Sequence, residues 1–276
     1  MSSSAFSPAL ATRRATVRRG SPLRSLLPGA RWLSPLALVI LWQLASSAGV
    51  LPEKTLESPL GILSTAWELT REGQLPQALL VSLRRAAEGF VLGTIVALVA
   101  GTFAGLNRTG NAVIDPPMQM LRTVPLFGLI PLFILWFGIG ETPKVLLVAL
   151  GVVIPLYLNL IGALKGIDPE LYEVADSLRL TRWQRLRHVI APGALPGTLV
   201  GLRQSLGVAW LALIVAEQVN ASAGLGYMIN NARDFLRTDI VVVGLLAYAV
   251  LGLLTDAIVR AIEAHALRWR DGGSPA

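Results

Sequence analysis

Four ionisable residues lie within long apolar runs of the sequence: Arg203, Glu217, Asp256 and Arg260. Charged side chains are costly inside a bilayer, and membrane proteins that keep them use them to bind solutes, relay protons or pair with one another. We expect Glu217, together with Arg122 before the third run, to line a solute pathway or its gate. The alternative for each of the four is that the side chain extends to the nearer membrane surface, because none lies at the centre of its run.

Motifs for catalysis and nucleotide binding are absent from the sequence. It contains neither the G-x-x-x-x-G-K-[ST] loop that cradles phosphates nor the H-E-x-x-H and G-x-S-x-G patterns of hydrolases. Cysteine is absent and only two histidines occur, which leaves little for a metal site. We therefore predict that this chain is no enzyme and binds no metal or cofactor. Energy for transport would have to come from a partner or from an ion gradient.

The composition is that of a membrane protein. Of the 276 residues, 53% are hydrophobic and 15% are charged, and the mean hydropathy is +0.60. Such a chain is too apolar for an ordinary soluble domain. Because about 20 apolar residues cross a bilayer as a helix, we predict an all-α membrane protein, a six-span helical bundle with spans at 32–52, 89–107, 124–140, 145–164, 198–219 and 240–262.

Two features of these runs bear on packing. Gly89 and Gly93, and likewise Gly101 and Gly105, are small residues four apart, which predicts a close approach of another helix. The segments at 52–85 and 108–122 are more polar. We expect the first to lie on the outer membrane surface or to cap the bundle, and the second to be a short link.

The distribution of Lys and Arg predicts the orientation. If both tails, the link and the loop at 165–197 share one side, that side holds about two thirds of the 24 basic residues, so it is cytoplasmic. Basic charge is thus a topology signal and does not predict nucleic-acid binding. We expect 1–31 to be a disordered basic cytoplasmic tail rather than a cleaved signal or transit peptide, 32–270 to be the membrane domain, and 271–276 to be a C-terminal tail.

The polar stretch at 165–196 predicts two short helices joined by a tight turn. Asp168 and Pro169 suit the start of the first helix, and Thr181 with Gln184 forms a capping-box pattern for the second. We expect Pro192 and Gly193 to end the second helix. The first helix carries an apolar stripe formed by Leu171, Val174, Ala175 and Leu178.

Helices this short are marginal in water, so the stripe predicts a partner surface, with a helix lying in a groove. The alternative is a solvated basic loop that only sets orientation.

The residues Glu173-Val174-Ala175, followed after a spacer by 191–196, resemble the EAA loop of ABC importer permeases. The resemblance implies that this loop is the coupling helix, which docks into a groove of a cytoplasmic ATP-binding subunit. The docking residues it implies are Glu173, Val174, Ala175, Leu178, Arg179, Trp183 and Pro192. The chain departs from the family pattern at Arg179, where glycine is usual. An arginine there either accepts strain or makes a different turn.

Longer stretches at 42–47, 119–125 running into 134–139, 213–217, 224–227 and 231–236 are similar to permeases of aliphatic-sulfonate importers. This resemblance implies a bacterial inner-membrane homodimer with a periplasmic substrate-binding protein above and two ATP-hydrolysing subunits below. It also implies alternating access driven by ATP that the partner binds. The alternatives are a taurine, nitrate or other small-solute permease, an ion-gradient transporter, and a membrane-anchored structural or assembly protein.

Overall fold

The computed structural model describes residues 30–50, 56–219 and 221–269, so residues 1–29 of the predicted tail at 1–31, and the whole predicted tail at 271–276, lie outside the described residues. The described part of the chain is almost entirely helical. Its α-helices are α1 (Ala30–Ser47), α2 (Pro59–Arg71), α3 (Gln74–Leu106), α4 (Arg108–Thr123), α5 (Ile130–Phe137), α6 (Glu141–Lys165), α7 (Pro169–Ser177), α8 (Arg182–Arg185), α9 (Ala191–Gln218), α10 (Leu225–Asp234) and α11 (Thr238–Ala266).

Helix α6 is the centre of the bundle and packs along its length between α3 and α9. Glycines permit both contacts. A Cβ atom at Gly93 would lie 2.5 Å from the carbonyl oxygen of Ala149, and one at Gly201 would lie 2.6 Å from Cβ of Asn159. Since real Cβ atoms do not approach so closely, larger residues would push the helices apart. The close packing predicted from the glycine pairs of α3 is thus confirmed.

Within the part of the chain that the structure describes, four helices are long and apolar enough to cross a membrane: α3, α6, the continuous run Arg182–Gln218, and α11. A fifth crossing follows if α4 and the run Leu126–Phe137 count as one span, broken by a bend of 96°. The apolar part of α1, Leu33–Ser47, is shorter than a full span. The exact number of six spans therefore stays a prediction.

The prediction of a short polar link at 108–122 is wrong, because that stretch forms helix α4. The third run does not form one straight span either. Val124 is extended (φ −74°, ψ 127°) and a 3₁₀ turn, Leu126–Leu129, follows. Pro125 explains the break, since a proline disfavours helical geometry at the residue before it and has no N–H to donate.

Helix α3 begins at Gln74, well before the predicted start of the second span at Gly89. The early turns of α3 pack with α2 and α10 at the end of the bundle where α6 begins and α9 ends. We call this the Glu217 end. Helix α2 buries Ile62 and Leu69 against α11, and Oγ1 of Thr65 donates to Asp239 over 3.0 Å. Helix α2 therefore covers the start of α11.

The prediction that Pro192 and Gly193 end a helix is wrong. A π-helical turn, Leu186–Ile190, joins α8 to α9, and the helix runs on without a stop. In that turn the N–H of Ala191 bonds to the carbonyl of Leu186, five residues back. A wide turn of this kind leaves room for a proline ring, which would clash with a carbonyl in a regular helix.

Candidate functional site

The segment 165–196, which we call the docking loop, lies at the opposite end of the bundle from Glu217. Its predicted helix starts are confirmed. The Asp168 carboxylate accepts from the N–H of Glu170 over 2.9 Å. In the capping box, Gln184 N–H donates to Oγ1 of Thr181 over 3.3 Å, and Thr181 N–H donates to Oε1 of Gln184 over 2.9 Å. Local hydrogen bonds therefore fix where α7 and α8 begin.

Arg179 ends α7 in the left-handed conformation, with φ of 49°. The N–H of Leu180 bonds to the carbonyl of Ala175, and the N–H of Arg179 bonds to that of Asp176. This pair of bonds is the Schellman motif, whose left-handed position normally holds glycine. The chain thus makes the turn that a glycine would make and accepts the strain of a Cβ atom there.

The predicted apolar stripe of α7 is divided between two surroundings. Ala175 is buried at 1% exposure, whereas Leu171, Val174 and Leu178 are exposed, as is Trp183 of α8. Behind the loop, Tyr172 packs against a cluster of apolar residues from the end of α6 and the start of α9: Leu160, Leu164, Ile167, Ile190 and Ala194.

An ion pair between Asp176 and Arg185 joins α7 to α8. The loop therefore packs against α6 and α9 through Tyr172 and presents Val174, Leu178 and Trp183 outward, with the exposed Glu173 on the same short helix as Val174.

At the Glu217 end, a carboxylate is buried completely. Four donors converge on Glu217: the hydroxyl of Ser82 at 2.8 Å, Nη1 of Arg85 at 2.7 Å, the N–H of Gly226 at 2.9 Å and the hydroxyl of Tyr248 at 2.6 Å. The alternative that Glu217 extends to a membrane surface is wrong. Its charge is instead compensated by neighbours from α3, α10 and α11, as buried charges require.

The carboxylate of Glu217 also caps a helix other than its own. The first N–H groups of α10 have no partner within that helix. The N–H of Leu225 donates to Oγ of Ser82 over 2.9 Å, and that of Gly226 donates to Glu217. A Cβ atom at Gly224, where φ is 105°, would lie 2.6 Å from Oε1 of Glu217. Glycine at this position is therefore needed for the carboxylate to reach the start of α10.

Arg85 connects Glu217 to the start of α6. Its Nη2 atom donates to Glu141 over 2.6 Å, and its Nη1 atom also donates to the carbonyl of Ala223 over 2.7 Å. Lys144 donates to the Gly140 carbonyl over 2.7 Å, next to the same carboxylate. Sequence reasoning placed Arg85 before the second span and did not pair it. Its position about three turns inside α3 became visible only once the helix start at Gln74 was known.

Arg122, the other residue predicted for the pathway or gate, does not belong to the group of residues around Glu217. It lines an open cleft of about 480 Å³ between the end of α4, α6 and α9, and Glu217 does not border this cleft. The other polar side chains there are Asn159 and Gln204, beside Pro155 and an apolar wall of Val124, Leu126, Ile154, Leu158 and Val208. The two residues predicted together as pathway or gate therefore belong to separate places. Asn159 and Gln204 carried no signal in the sequence, because uncharged amides are common at helix surfaces.

The other ionisable residues of the apolar runs form one cluster. Asp256 binds Nε of Arg203 at 2.9 Å and Nη1 of Arg260 at 2.8 Å. The cluster ties α9 to α11 near the docking-loop end. Its members remain partly exposed, so it resembles a surface ion-pair network rather than a buried site.

Comparison with known proteins agrees with this architecture. Residues 89–268 match the family described as "Binding-protein-dependent transport system inner membrane component". This match covers more than half of the chain and includes both the docking loop and Glu217. The chain belongs to this family, the permease class of ABC importers, so the family resemblance read from the sequence is confirmed.

Among curated relatives, the chain is 47% identical over 244 residues to SsuC of Escherichia coli (strain K12), covering 88% of this chain and 93% of that protein. It is 44% identical to SsuC of Bacillus subtilis (strain 168) over 87% of each chain. Both are named as aliphatic sulfonates transport permeases. TauC of E. coli, named as a taurine transport permease, is 35% identical over 79% of this chain and 78% of its own length.

A solved structure described as an amino acid ABC transporter with histidines has the same fold. It superposes with a TM-score of 0.61 at 18% identity and covers 72% of this chain and 96% of its own. Family membership decides against the ion-gradient transporter and the structural protein that the sequence had left open. The chain is a membrane permease, and ATP hydrolysis belongs to a separate subunit of such a transporter.

Proposed function

We propose that this chain is the membrane subunit of an ATP-driven importer of aliphatic sulfonates. The identity of 44–47% to two permeases named for aliphatic sulfonates carries this proposal, since it extends over nearly the whole chain. The taurine permease is more distant at 35%. Taurine is itself a small sulfonate, so it is the principal competing substrate.

The docking loop is the proposed contact with a cytoplasmic ATP-binding subunit. Val174, Leu178 and Trp183 are exposed on two short helices that are anchored from behind. Burying such side chains in a groove of the partner would stabilise the complex by about 1.5–3 kcal/mol for each fully buried side chain. Movement of the partner would then pass through α7 and α8 to α6 and α9.

We further propose that the docking-loop end faces the cytoplasm, together with both termini, and that the protein is a homodimer in the bacterial inner membrane. The substrate-binding protein would then dock at the Glu217 end. The turn after α10 supports docking at this end, because Phe235 and Leu236 are 74% and 85% exposed there and offer an apolar contact surface. In the proposed cycle, ATP shifts the permease between two states through contacts that differ between them.

Uptake of labelled ethanesulfonate in cells with and without the gene tests the substrate, in a strain without a second sulfonate system. We expect ATP-dependent uptake only with the gene. If uptake of labelled taurine depends on the gene and that of ethanesulfonate does not, the sulfonate assignment is wrong and the taurine alternative holds.

The docking role is tested separately by Glu173→Ala, with Glu170→Ala as the matched control. Both glutamates are exposed on α7. We expect Glu173→Ala to insert normally into the membrane, to lose uptake and to bind less ATP-binding subunit in pull-down measurements. Equal uptake by the two variants would contradict the docking role of Glu173.

A further inference from the structure

The cleft beside Arg122 combines one cation with amide groups and an apolar wall. Arg122 is the charged residue among those that line the cleft, and its side chain is exposed there. Among the ion pairs of the described residues, none includes Arg122. The volume of the cleft, about 480 Å³, falls within the range of roughly 300–1,000 Å³ typical of small-molecule sites.

A chain of hydrogen bonds fixes the orientation of the amides. Nδ2 of Asn159 donates to the carbonyl of Pro155 over 2.8 Å. Since a carbonyl can only accept, this bond identifies the NH₂ end of Asn159. The same NH₂ group donates to Oε1 of Gln204 over 2.9 Å. The oxygen of Gln204 is thereby used, and its own NH₂ group remains as the donor for the cleft.

We propose that this cleft binds the anionic headgroup of the transported solute, with Arg122 and the NH₂ group of Gln204 as donors and Asn159 as a positioning residue. A sulfonate has three acceptor oxygens and a full negative charge, and guanidinium groups bind such oxyanions through two parallel hydrogen bonds. The short alkyl chain would lie on Leu126, Ile154 and Val208. This inference rests on the proposed function for the identity of the solute.

The test uses the permease together with its ATP-binding subunits in lipid nanodiscs, without the binding protein, and measures equilibrium binding of labelled ethanesulfonate. Arg122→Gln should weaken binding about ten-fold or more, since it removes a hydrogen-bonding charge. The matched control is Arg108→Gln, which removes the same charge from the exposed start of α4, and it should bind as the wild type does. The double variant Arg122→Gln with Gln204→Lys should recover binding, because it restores a cation to the cleft.

The role of Asn159 has its own measurement. Asn159→Leu should weaken binding in the wild-type background but not in the double variant, because a lysine at position 204 needs no orienting partner. A merely structural role of Asn159 would weaken binding equally in both backgrounds.

The possible failures are distinguishable. If cells import ethanesulfonate and Arg122→Gln binds it as tightly as Arg108→Gln does, the cleft proposal is overturned and the proposed function stands. If cells import none but the complex binds inorganic sulfate in a manner that depends on Arg122, the anion site stands and the sulfonate assignment fails. If the wild-type complex binds neither anion, the cleft proposal is overturned.

Discussion

Replacing Glu217 by glutamine tests whether the buried carboxylate holds the Glu217 end together. The side chain keeps its shape but loses its charge and one acceptor oxygen. In the structure, Ser82, Arg85, Gly226 and Tyr248 all donate to this carboxylate, and two oxygens accept these bonds. A glutamine offers one oxygen with two lone pairs and places its own NH₂ donors among the others.

At least two of the four donors therefore lose their partner. Each unsatisfied buried donor costs about 1–3 kcal/mol, so we expect Glu217→Gln to destabilise the fold by roughly 2–6 kcal/mol. Arg85 retains Glu141 as a partner, which keeps the cost below that of an unpaired buried charge. With a shift of about 2–4 °C per kcal/mol for a chain of this size, the apparent Tm should fall by roughly 4–24 °C.

The assay is thermal unfolding of the purified protein in detergent, followed by intrinsic tryptophan fluorescence. Glu88→Gln is the matched control, because Glu88 pairs with Arg84 on the exposed face of α3 and such pairs contribute about 0–1 kcal/mol. Hydrogen exchange should also rise at Leu225 and Gly226, whose N–H groups are held by this network. An apparent Tm for Glu217→Gln within 2 °C of the Glu88→Gln value would refute the inference that the four donors depend on the carboxylate.

Three further substitutions probe other parts of the structure. Arg179→Gly should stabilise the purified protein by up to about 1 kcal/mol, because glycine adopts the left-handed conformation without strain; a lower Tm would contradict the strain at this turn. Gly93→Val should abolish the stable fold, since its side chain would overlap the backbone of α6 at Ala149, and size-exclusion chromatography would show aggregation. Trp183→Ala should leave Tm unchanged, because the ring is 67% exposed, yet it should weaken binding of the ATP-binding subunit about ten-fold; unchanged binding would remove Trp183 from the docking surface.

Features that depend on neighbours along the chain could be predicted from the amino-acid sequence. Asp168 and Thr181 start their helices through bonds to residues two or three positions away, so their types and spacing sufficed. The long apolar runs likewise predicted the membrane class, and the glycine pairs of α3 predicted a close helix contact without identifying α6 as the partner. Even the odd residue at the α7 turn, Arg179, was visible as a departure from the glycine that this geometry favours.

Tertiary structure decided whatever depends on a distant partner. Periodicity gives the face of a helix but not what packs on it, so Glu217 could be noticed in the sequence while Ser82 and Arg85, 135 and 132 positions away, could not be assigned to it. The same limit hid the pairing of Asn159 with Gln204. Pro192 is a case in which a local rule is wrong. The rule predicts a helix end, but the π-helical turn before Pro192 accommodates the ring and the helix continues. Local hydrogen bonds join residues a few positions apart, so the sequence shows them directly. Buried charge is compensated where separate helices meet, and only the tertiary structure shows which helices these are.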